Sequence, residues 1–446
     1  MTTPGPAVIL IGNGGHAKVV LGILALNGVS VAGVVGPAGS GGIDGWPLLG
    51  DDDDLPVVEG FPSARPLRVL LYSWPFWPSV GGLERLTELT ARFLVHSGRH
   101  VTVVTATPDK AESAAFSFIV ERRPGLIRLA RMIRRSDIVQ LNTFSAVVAG
   151  LALLARKPIV WQHIDYDTIS PRGICAWEGR PCDGSLRRCH ACLRRDHSRP
   201  GTWRALASLL LKRLSRHVVA ANAVSTTYAQ SRMRLPRAIY LPFGIETTAV
   251  EPSRRPAPPP LRVLFFGRHI PAKGCDVLVR SVRLCRDREI PIQVRIAGDG
   301  PHRPVSEALA TQLDLGEVVT FLGRLQQREL DAELARAHVV VQASTQDEIG
   351  ALVLWEAMVA GCAVVASEIG ALPEHVGDGG LFFPPGDSSA LADRLERLAY
   401  APELAEEMGR RGRELVRSTY DWEQMGRRYD RLYRAVLERR LPWSRS

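Results

Sequence analysis

Twice along this chain an apolar stretch of strand length, a short polar or glycine-bearing loop and a stretch of helical periodicity follow one another in succession. The first series runs through residues 67–245 and the second through residues 261–385. Strands separated by helices pair as parallel neighbours, and a parallel sheet buries both faces under those helices. The repeat therefore predicts an α/β protein with two doubly wound sheets. Between the series, Pro252 to Pro260 reads as a stiff exposed linker and sets the domain boundary.

Within the first series, Leu67 to Tyr72 read as a strand and Ser73 to Gly82 as a loop. Leu83, Leu86, Leu89, Phe93 and Leu94 mark a helix ended by Gly98, followed by a strand at Val101 to Thr105. Further strands are expected at Ile138 to Leu141, Ile159 to Gln162, Val218 to Ala221 and Ile239 to Leu241. The tail from Tyr420 to Leu437 is helical by pattern.

A chain of 446 residues, 46% apolar and 23% charged, fits two or three domains with full-sized cores. It holds no run of about 18 uncharged apolar residues and no signal-peptide pattern at its start, so a cytoplasmic protein is expected. A formal charge of +10 favours an anionic partner, whether nucleic acid, nucleotide phosphate or the inner face of a membrane. Arginine pairs at 122–123, 134–135, 187–188, 194–195 and 254–255 supply much of it. No RNA-binding aromatic motif, helix-turn-helix or finger spacing accompanies them, and no nucleic acid is expected as a partner. Trp203 to Val218 combines Leu206, Leu209, Leu210 and Leu214 with Arg204, Lys212, Arg213 and Arg216 in a basic amphipathic helix. Such a helix either lies on an anionic membrane surface, making the protein peripheral there, or packs its apolar stripe on its own domain.

The segment Asp347-Glu348-Ile349-Gly350-Ala351-Leu352-Val353-Leu354-Trp355-Glu356-Ala357-Met358 sets two carboxylates around the start of a helix. Free N–H groups at a helix N-terminus attract a pyrophosphate, while Glu348 and Glu356 can accept hydrogen bonds from sugar hydroxyls. The plainer reading has Glu348 capping the helix and Glu356 on a solvated face. Two more loops follow strands, Gly267-Arg268-His269-Ile270-Pro271-Ala272-Lys273-Gly274 and Gly298-Asp299-Gly300-Pro301. Arg268 and Lys273 lie where α/β sheets place their ligands.

With these residues in place, the chain resembles the family 4 glycosyltransferases of the GT-B fold over roughly residues 67–436. That fold has two Rossmann-like domains facing a cleft. The resemblance implies an acceptor-side domain at 67–245, a nucleotide-sugar donor domain at 261–419, and a helix at 420–446 that crosses back to the first. It implies a retaining transfer of a hexose-type sugar from a UDP- or GDP-sugar to the hydroxyl of a saccharide or lipid-linked saccharide. Arg268 and Lys273 would neutralise the diphosphate, with no metal or other cofactor in catalysis. Glu348 would hold donor-sugar hydroxyls and Glu356 the ribose diol, with Gly267, Ile349, Gly350, Ala351 and Leu352 lining the donor. Asp299 would sit near the base or shape its loop, and His163 would stand at the tip of its strand near the donor sugar. Gly81 and Gly82 would open the facing helix to a phosphate or the acceptor, with Trp74 and Trp77 on the acceptor side. A GT-B sugar-nucleotide epimerase and a non-catalytic nucleotide-sugar-binding subunit are the alternatives.

Two segments stand apart. Val8 to Val20, Val31 to Val35 and Gly45 to Gly50 resemble the start of the nucleotide-sugar-binding N-terminal domain of the sialic-acid O-acetyltransferase type of acyltransferase. With one βαβ unit in residues 1–60 and no hexapeptide-repeat domain, an accessory module is expected. Cys175, Cys182, Cys189 and Cys192 are spaced C-x6-C-x6-C-x2-C, which suggests a structural zinc or, failing that, redox-labile disulfides.

Overall fold

The computed structural model describes residues 8–11, 31–35, 48–50, 66–78, 81–108, 116–171, 173, 176–177, 180–196, 199–247, 255, 258–350, 352–439 and 441. The chain divides into a unit spanning Met1–Arg65 and one spanning Pro66–Ser446. In the first, β1 (Val8–Ile11), β2 (Val31–Val35) and β3 (Leu48–Gly50) form a parallel sheet in that order, one strand more than a single βαβ unit supplies.

The second unit holds two sheets. The first domain runs β4 (Arg68–Tyr72), α1 (Gly82–His96), β5 (His100–Thr105), β6 (Ile119–Arg122), α2 (Leu126–Arg135), β7 (Ile138–Leu141), α3 (Ala146–Leu154) and β8 (Ile159–His163). A short hairpin, β9 (Ala176–Trp177) with β10 (Arg180–Pro181), leads to α4 (Leu186–Asp196) and α5 (Arg199–Ser215). Then come β11 (Ala221–Val224), α6 (Thr227–Met233) and β12 (Ala238–Tyr240). The strands pair in the order β12-β11-β8-β7-β4-β5-β6, all parallel. Side chains alternate across this sheet: Val69 and Leu71 of β4 face the core under α1, and Leu70 and Tyr72 face the one under α2 and α3.

One strand lies elsewhere than the sequence suggests. Expected at Val218 to Ala221, it begins at Ala221, where it first pairs with Val160 of β8. The helix before it ends at Ser215, and Val218 is exposed in the turn between them. Val219, by contrast, is buried in the core under α2 and α3, so part of the apolar run reports packing beside the sheet and not pairing within it.

The second domain runs β13 (Leu261–Phe266), α7 (Cys275–Asp287), β14 (Ile292–Ala297), α8 (Arg303–Gln312), β15 (Val319–Gly323), α9 (Gln327–Arg336) and β16 (Val339–Gln342). It continues with α10 (Leu352–Val359), β17 (Ala363–Ser367), α11 (Leu372–Val376), β18 (Gly380–Phe383), α12 (Ser388–Tyr400) and α13 (Pro402–Thr419). Its sheet is ordered β15-β14-β13-β16-β17-β18. The chain leaves β13 toward β15, then returns to place β16 on the other side. The carboxyl ends of β13 and β16 therefore form the switch point, where such sheets take their ligands. In the first sheet, β4 and β7 hold the equivalent place.

The chain then crosses back. Asp421 caps α14 (Trp422–Leu437) by accepting from the Glu423 and Gln424 N–H groups. Gly426 permits the packing of α14 on α1, since a Cβ there would fall 1.9 Å from the Phe93 ring. From α14 the hydroxyls of Tyr429 and Tyr433 donate to Gln162 and Gln140 in the first sheet.

Candidate active site

Backbone contact between the loops at the second domain's switch point builds the site. After β13, Gly267 adopts φ +148° with open space where a Cβ would project, so the backbone there is bare. The loop closes through a short turn, Pro271–Lys273, and Gly274 at φ +65°, whose Cβ would lie 1.9 Å from the Ala343 carbonyl oxygen beyond β16. Thr345 N–H donates to the Ala272 carbonyl at 2.9 Å. This juxtaposition brings Lys273 Nζ to 2.6 Å from Glu348 Oε1, and Ser344 Oγ donates to the same oxygen at 2.8 Å. Gln342 in turn orients Ser344 at 2.9 Å. Oε1 is thus saturated, while Oε2 takes no hydrogen bond among the described residues.

Other sequence-marked residues gather around this pair. Arg268 is exposed and makes no ion pair among the described residues. Asp299 shapes its turn, accepting from Gly300 N–H at 2.8 Å, while its carbonyl takes the His269 N–H at 2.9 Å. Glu356 sits half-buried in the second turn of α10, and burial pushes its carboxyl up to about 7 against the opposing pull of Arg85 on α1. Gly350 lies beside the Phe243 ring, and Ala351 lies outside the described residues. Ile349 is buried among Tyr166, Val224, Ala229 and Met233 of the first domain. Across the cleft, Gly82 opens α1 against the first residue of α10: a Cβ there would sit 3.5 Å from Leu352. Gly81 is the N-cap of α1 in ordinary extended backbone.

The first domain's residues are placed differently. His163 ends β8 fully buried, with Nε2 at 2.9 Å from Asn222 Oδ1 and its ring stacked on Trp161. The Asn222 amide donates to the Arg216 and Pro236 carbonyls, so its oxygen faces the imidazole and Nε2 carries the proton. Burial holds the ring neutral, with its pKa lowered to about 4, and Nδ1 has no partner among the described residues. Its side chain is locked into the sheet. Trp74, 64% exposed, donates its N–H to Thr143 Oγ1 at 2.7 Å and so ties the loops after β4 and β7 together. Trp77 is 36% exposed, and its carbonyl takes the Arg122 guanidinium at 2.7 Å.

Residues 249–415 match the family model of the glycosyl transferases group 1, and residues 7–58 match that of the PglD N-terminal domain. A sulfoquinovosyl transferase of Arabidopsis thaliana is 24% identical over 404 residues, 83% of this chain and 74% of that protein. A GDP-mannose-dependent alpha-(1-6)-phosphatidylinositol monomannoside mannosyltransferase of Mycobacterium tuberculosis is 28% identical over 403 residues, covering 80% of this chain and 96% of that one. The structure of the Anabaena protein HepE in complex with UDP and glucose superposes with a TM-score of 0.64 at 17% identity, over 83% of this chain and all of HepE. This chain has the GT-B fold, and these relatives are glycosyltransferases.

In this GT-B chain several site-building residues escape sequence reasoning. Ser344 orients Glu348 from four residues away, while Asp347 is held from the first domain and Arg85 faces Glu356 through contacts between distant segments. Arg255, in the proline-rich linker, donates to the Ala360 and Gly361 carbonyls and so caps the C-terminal end of α10, the helix that carries Glu356. A linker arginine gave no signal of that partner.

The cysteine insertion lies partly outside the described residues. Cys189 and Cys192 are free thiols, and burial first, then Cys182, push Cys189 up to about 11. Cys175 lies outside the described residues, and among those described no group of three His, Cys, Asp or Glu could hold a metal ion. On α5, Leu206 and Leu209 pack on α4, while Trp203, Leu210, Leu211 and Leu214 stay exposed. No helix among the described residues is long and apolar enough to cross a membrane.

Proposed function

We propose that the enzyme transfers a hexose-type sugar from a UDP- or GDP-sugar, with retention, to the hydroxyl of a saccharide or lipid-linked saccharide. The observation that carries this reading is the Glu348 carboxylate. One oxygen is saturated by Lys273 and Ser344 and the other takes no bond among the described residues, beside the bare backbone of Gly267 at the sheet's switch point. That geometry suits a sugar hydroxyl donating to Oε2 while Lys273 and Arg268 face the diphosphate.

In this reading the acceptor oxygen bonds to the anomeric carbon as the bond from that carbon to the phosphate oxygen breaks. The acceptor's proton passes to the departing diphosphate. Negative charge grows on the leaving group, and Lys273, fixed on Glu348, together with the exposed Arg268 stabilises that charge, so catalysis needs no metal. Glu356 takes the ribose diol, and His163, neutral and locked, acts as a packing element beside the donor rather than as a proton carrier.

A lipid-linked acceptor at a cytoplasmic, peripheral location is favoured by the exposed apolar residues of α5 and by the relative named for a phosphatidylinositol mannoside. A structural zinc at the cysteine insertion stays a separate proposal, which metal analysis decides: about one zinc per chain supports it and none removes it. The donor reading is tested by a thermal-shift screen of nucleotide sugars. A bound donor raises the apparent melting temperature by mass action, and the absence of any shift with UDP- and GDP-sugars sinks the reading.

A further inference from the structure

The loop that carries Glu348 is gripped from the opposite domain. Asp347, with a side chain 2% exposed, accepts from the Tyr228 hydroxyl at 3.1 Å and faces the Arg232 guanidinium at 3.5 Å. Both partners belong to α6. Glu374, on α11, accepts from the N–H groups of Thr227 and Tyr228 at 2.9 and 3.1 Å and from the Thr227 hydroxyl at 2.9 Å. Two carboxylates of the second domain therefore hold one short helix of the first. The same helix contributes Ala229 and Met233 to the cluster that buries Ile349, and His375, next to Glu374, donates to the Ile349 carbonyl at 2.9 Å.

The residues on either side of Glu348 are thus fixed by the first domain, whereas its Oε1 is fixed by Lys273 and Ser344 of its own domain. If the domains part, Asp347 and Glu374 lose their α6 donors and Ile349 loses its cover. The Lys273 end of the site is untouched by such a movement. Domain approach in enzymes of this kind completes a site that neither half holds complete.

We propose that α6 is the element through which approach of the first domain sets the Glu348 carboxylate for the donor sugar, with Tyr228 and Thr227 as positioning residues answering Asp347 and Glu374. The proposal rests on the donor-site reading above. It separates two parts of donor binding: the diphosphate, held by the second domain itself, and the sugar, held through a loop that needs α6.

The test uses the full chain and four probes, UDP, GDP, UDP-glucose and GDP-mannose, titrated calorimetrically. For the nucleotide that binds, the ratio of the nucleoside diphosphate Kd to the nucleotide-sugar Kd reports how much the sugar adds. Tyr228→Phe and Thr227→Val should each lower that ratio by about tenfold, roughly what loss of a well-made hydrogen bond in the loop's support costs. Their nucleoside diphosphate Kd should stay within about twofold of the parent, and Thr227→Ser, which keeps the hydroxyl, should restore the ratio. Amide exchange across residues 347–350 should speed up in the first two variants and not in the third.

An unchanged ratio in both variants overturns the proposal, as does an equal weakening of nucleoside diphosphate and nucleotide sugar, which marks a general loss of structure. If Tyr228→Phe does not fold, Thr227→Val and Thr227→Ser decide the matter between them. A parent protein that binds none of the probes overturns the donor-site reading itself, and this proposal with it.

Discussion

The two halves of the cleft are built by different means. In the second domain the loops are fixed backbone against backbone, and three glycines stand where any side chain would collide with a carbonyl or an N–H. A Cβ at Gly274 would lie 1.9 Å from the Ala343 oxygen, one at Gly298 1.9 Å from the Gly267 oxygen, and one at Gly370 2.5 Å from the Glu348 nitrogen. In the first domain the facing loop is held by side chains, such as the Thr143 hydroxyl on Trp74 and Arg122 on the Trp77 carbonyl, and two tryptophans are left partly in solvent. Backbone packing tolerates little substitution, whereas a loop held by side chains can change what it presents while its strands stay put. The half that handles the constant part of a substrate is expected to be the rigid one.

The sharpest break of this comparison is a matched pair of alanines. Gly274→Ala combines a left-handed φ of +65° with a backbone clash and should cost at least about 3 kcal/mol, read as a fall in denaturation midpoint or as loss of soluble protein. Gly81→Ala sits at φ −169° and would meet only the movable end of Glu84, so its stability should stay within about 0.5 kcal/mol of the parent. Equal costs at the two positions would erase the contrast. Next in size, Lys273→Ala and Arg268→Ala should lower turnover by about 100-fold while changing donor affinity much less, because their charge matters most as the diphosphate departs. Parallel losses in kcat and in binding would place both cations in ground-state recognition.

The rigid half was also the legible one. Gly267 to Gly274, Gly298 to Pro301 and Glu348 to Glu356 each lie within a dozen residues, on loops whose place follows from the alternation of strands and helices, so one-dimensional spacing carried their geometry. What stayed hidden depends on which elements meet. His163 finds Asn222 across 59 residues of sequence, Tyr228 finds Asp347 across 119 and Thr227 finds Glu374 across 147. Hydrophobic period states that a residue is buried and not against what. The strand placed at Val218 failed for the same reason: its start is set by pairing with β8, a partner that the local pattern does not encode.

Glu356 offers a test of the donor half through pH. Burial raises its carboxyl to about 7, so it is about half protonated at neutral pH. Ribose hydroxyls donate to the ionised form, and binding must therefore release the proton from the fraction that carries it. Affinity for the nucleoside diphosphate should rise with pH through this range and level off above about pH 8. Between pH 7 and pH 6 the loss should be about fivefold, the change in ionised fraction for a group titrating near 7. Glu356→Gln, measured by calorimetry at both pH values, should bind more weakly at pH 8 and lose this dependence. A parent protein with flat affinity from pH 6 to pH 8 would mean that Glu356 does not accept from the nucleotide.

The smallest expected effect lies in the acceptor half. Trp74 offers an exposed indole at the carboxyl end of β4, on a loop fixed through its own N–H to Thr143 rather than through its ring. Removing the ring should therefore leave the loop in place. A sugar face stacked on an aromatic ring gains about 0.5 to 1.5 kcal/mol, so Trp74→Ala should raise the KM for a saccharide acceptor by roughly threefold or somewhat more. Donor affinity and melting temperature should be unchanged, because no donor-loop residue depends on the indole. The informative control is Thr143→Val, which keeps the ring but removes one of the loop's ties, leaving those from Thr105 and Thr107, and should raise acceptor KM while leaving the donor constants alone. If Trp74→Ala instead weakens the nucleotide sugar and spares the acceptor, the ring belongs to the donor side. The division of labour between a backbone-built half and a side-chain-built half would then have to be redrawn at this residue.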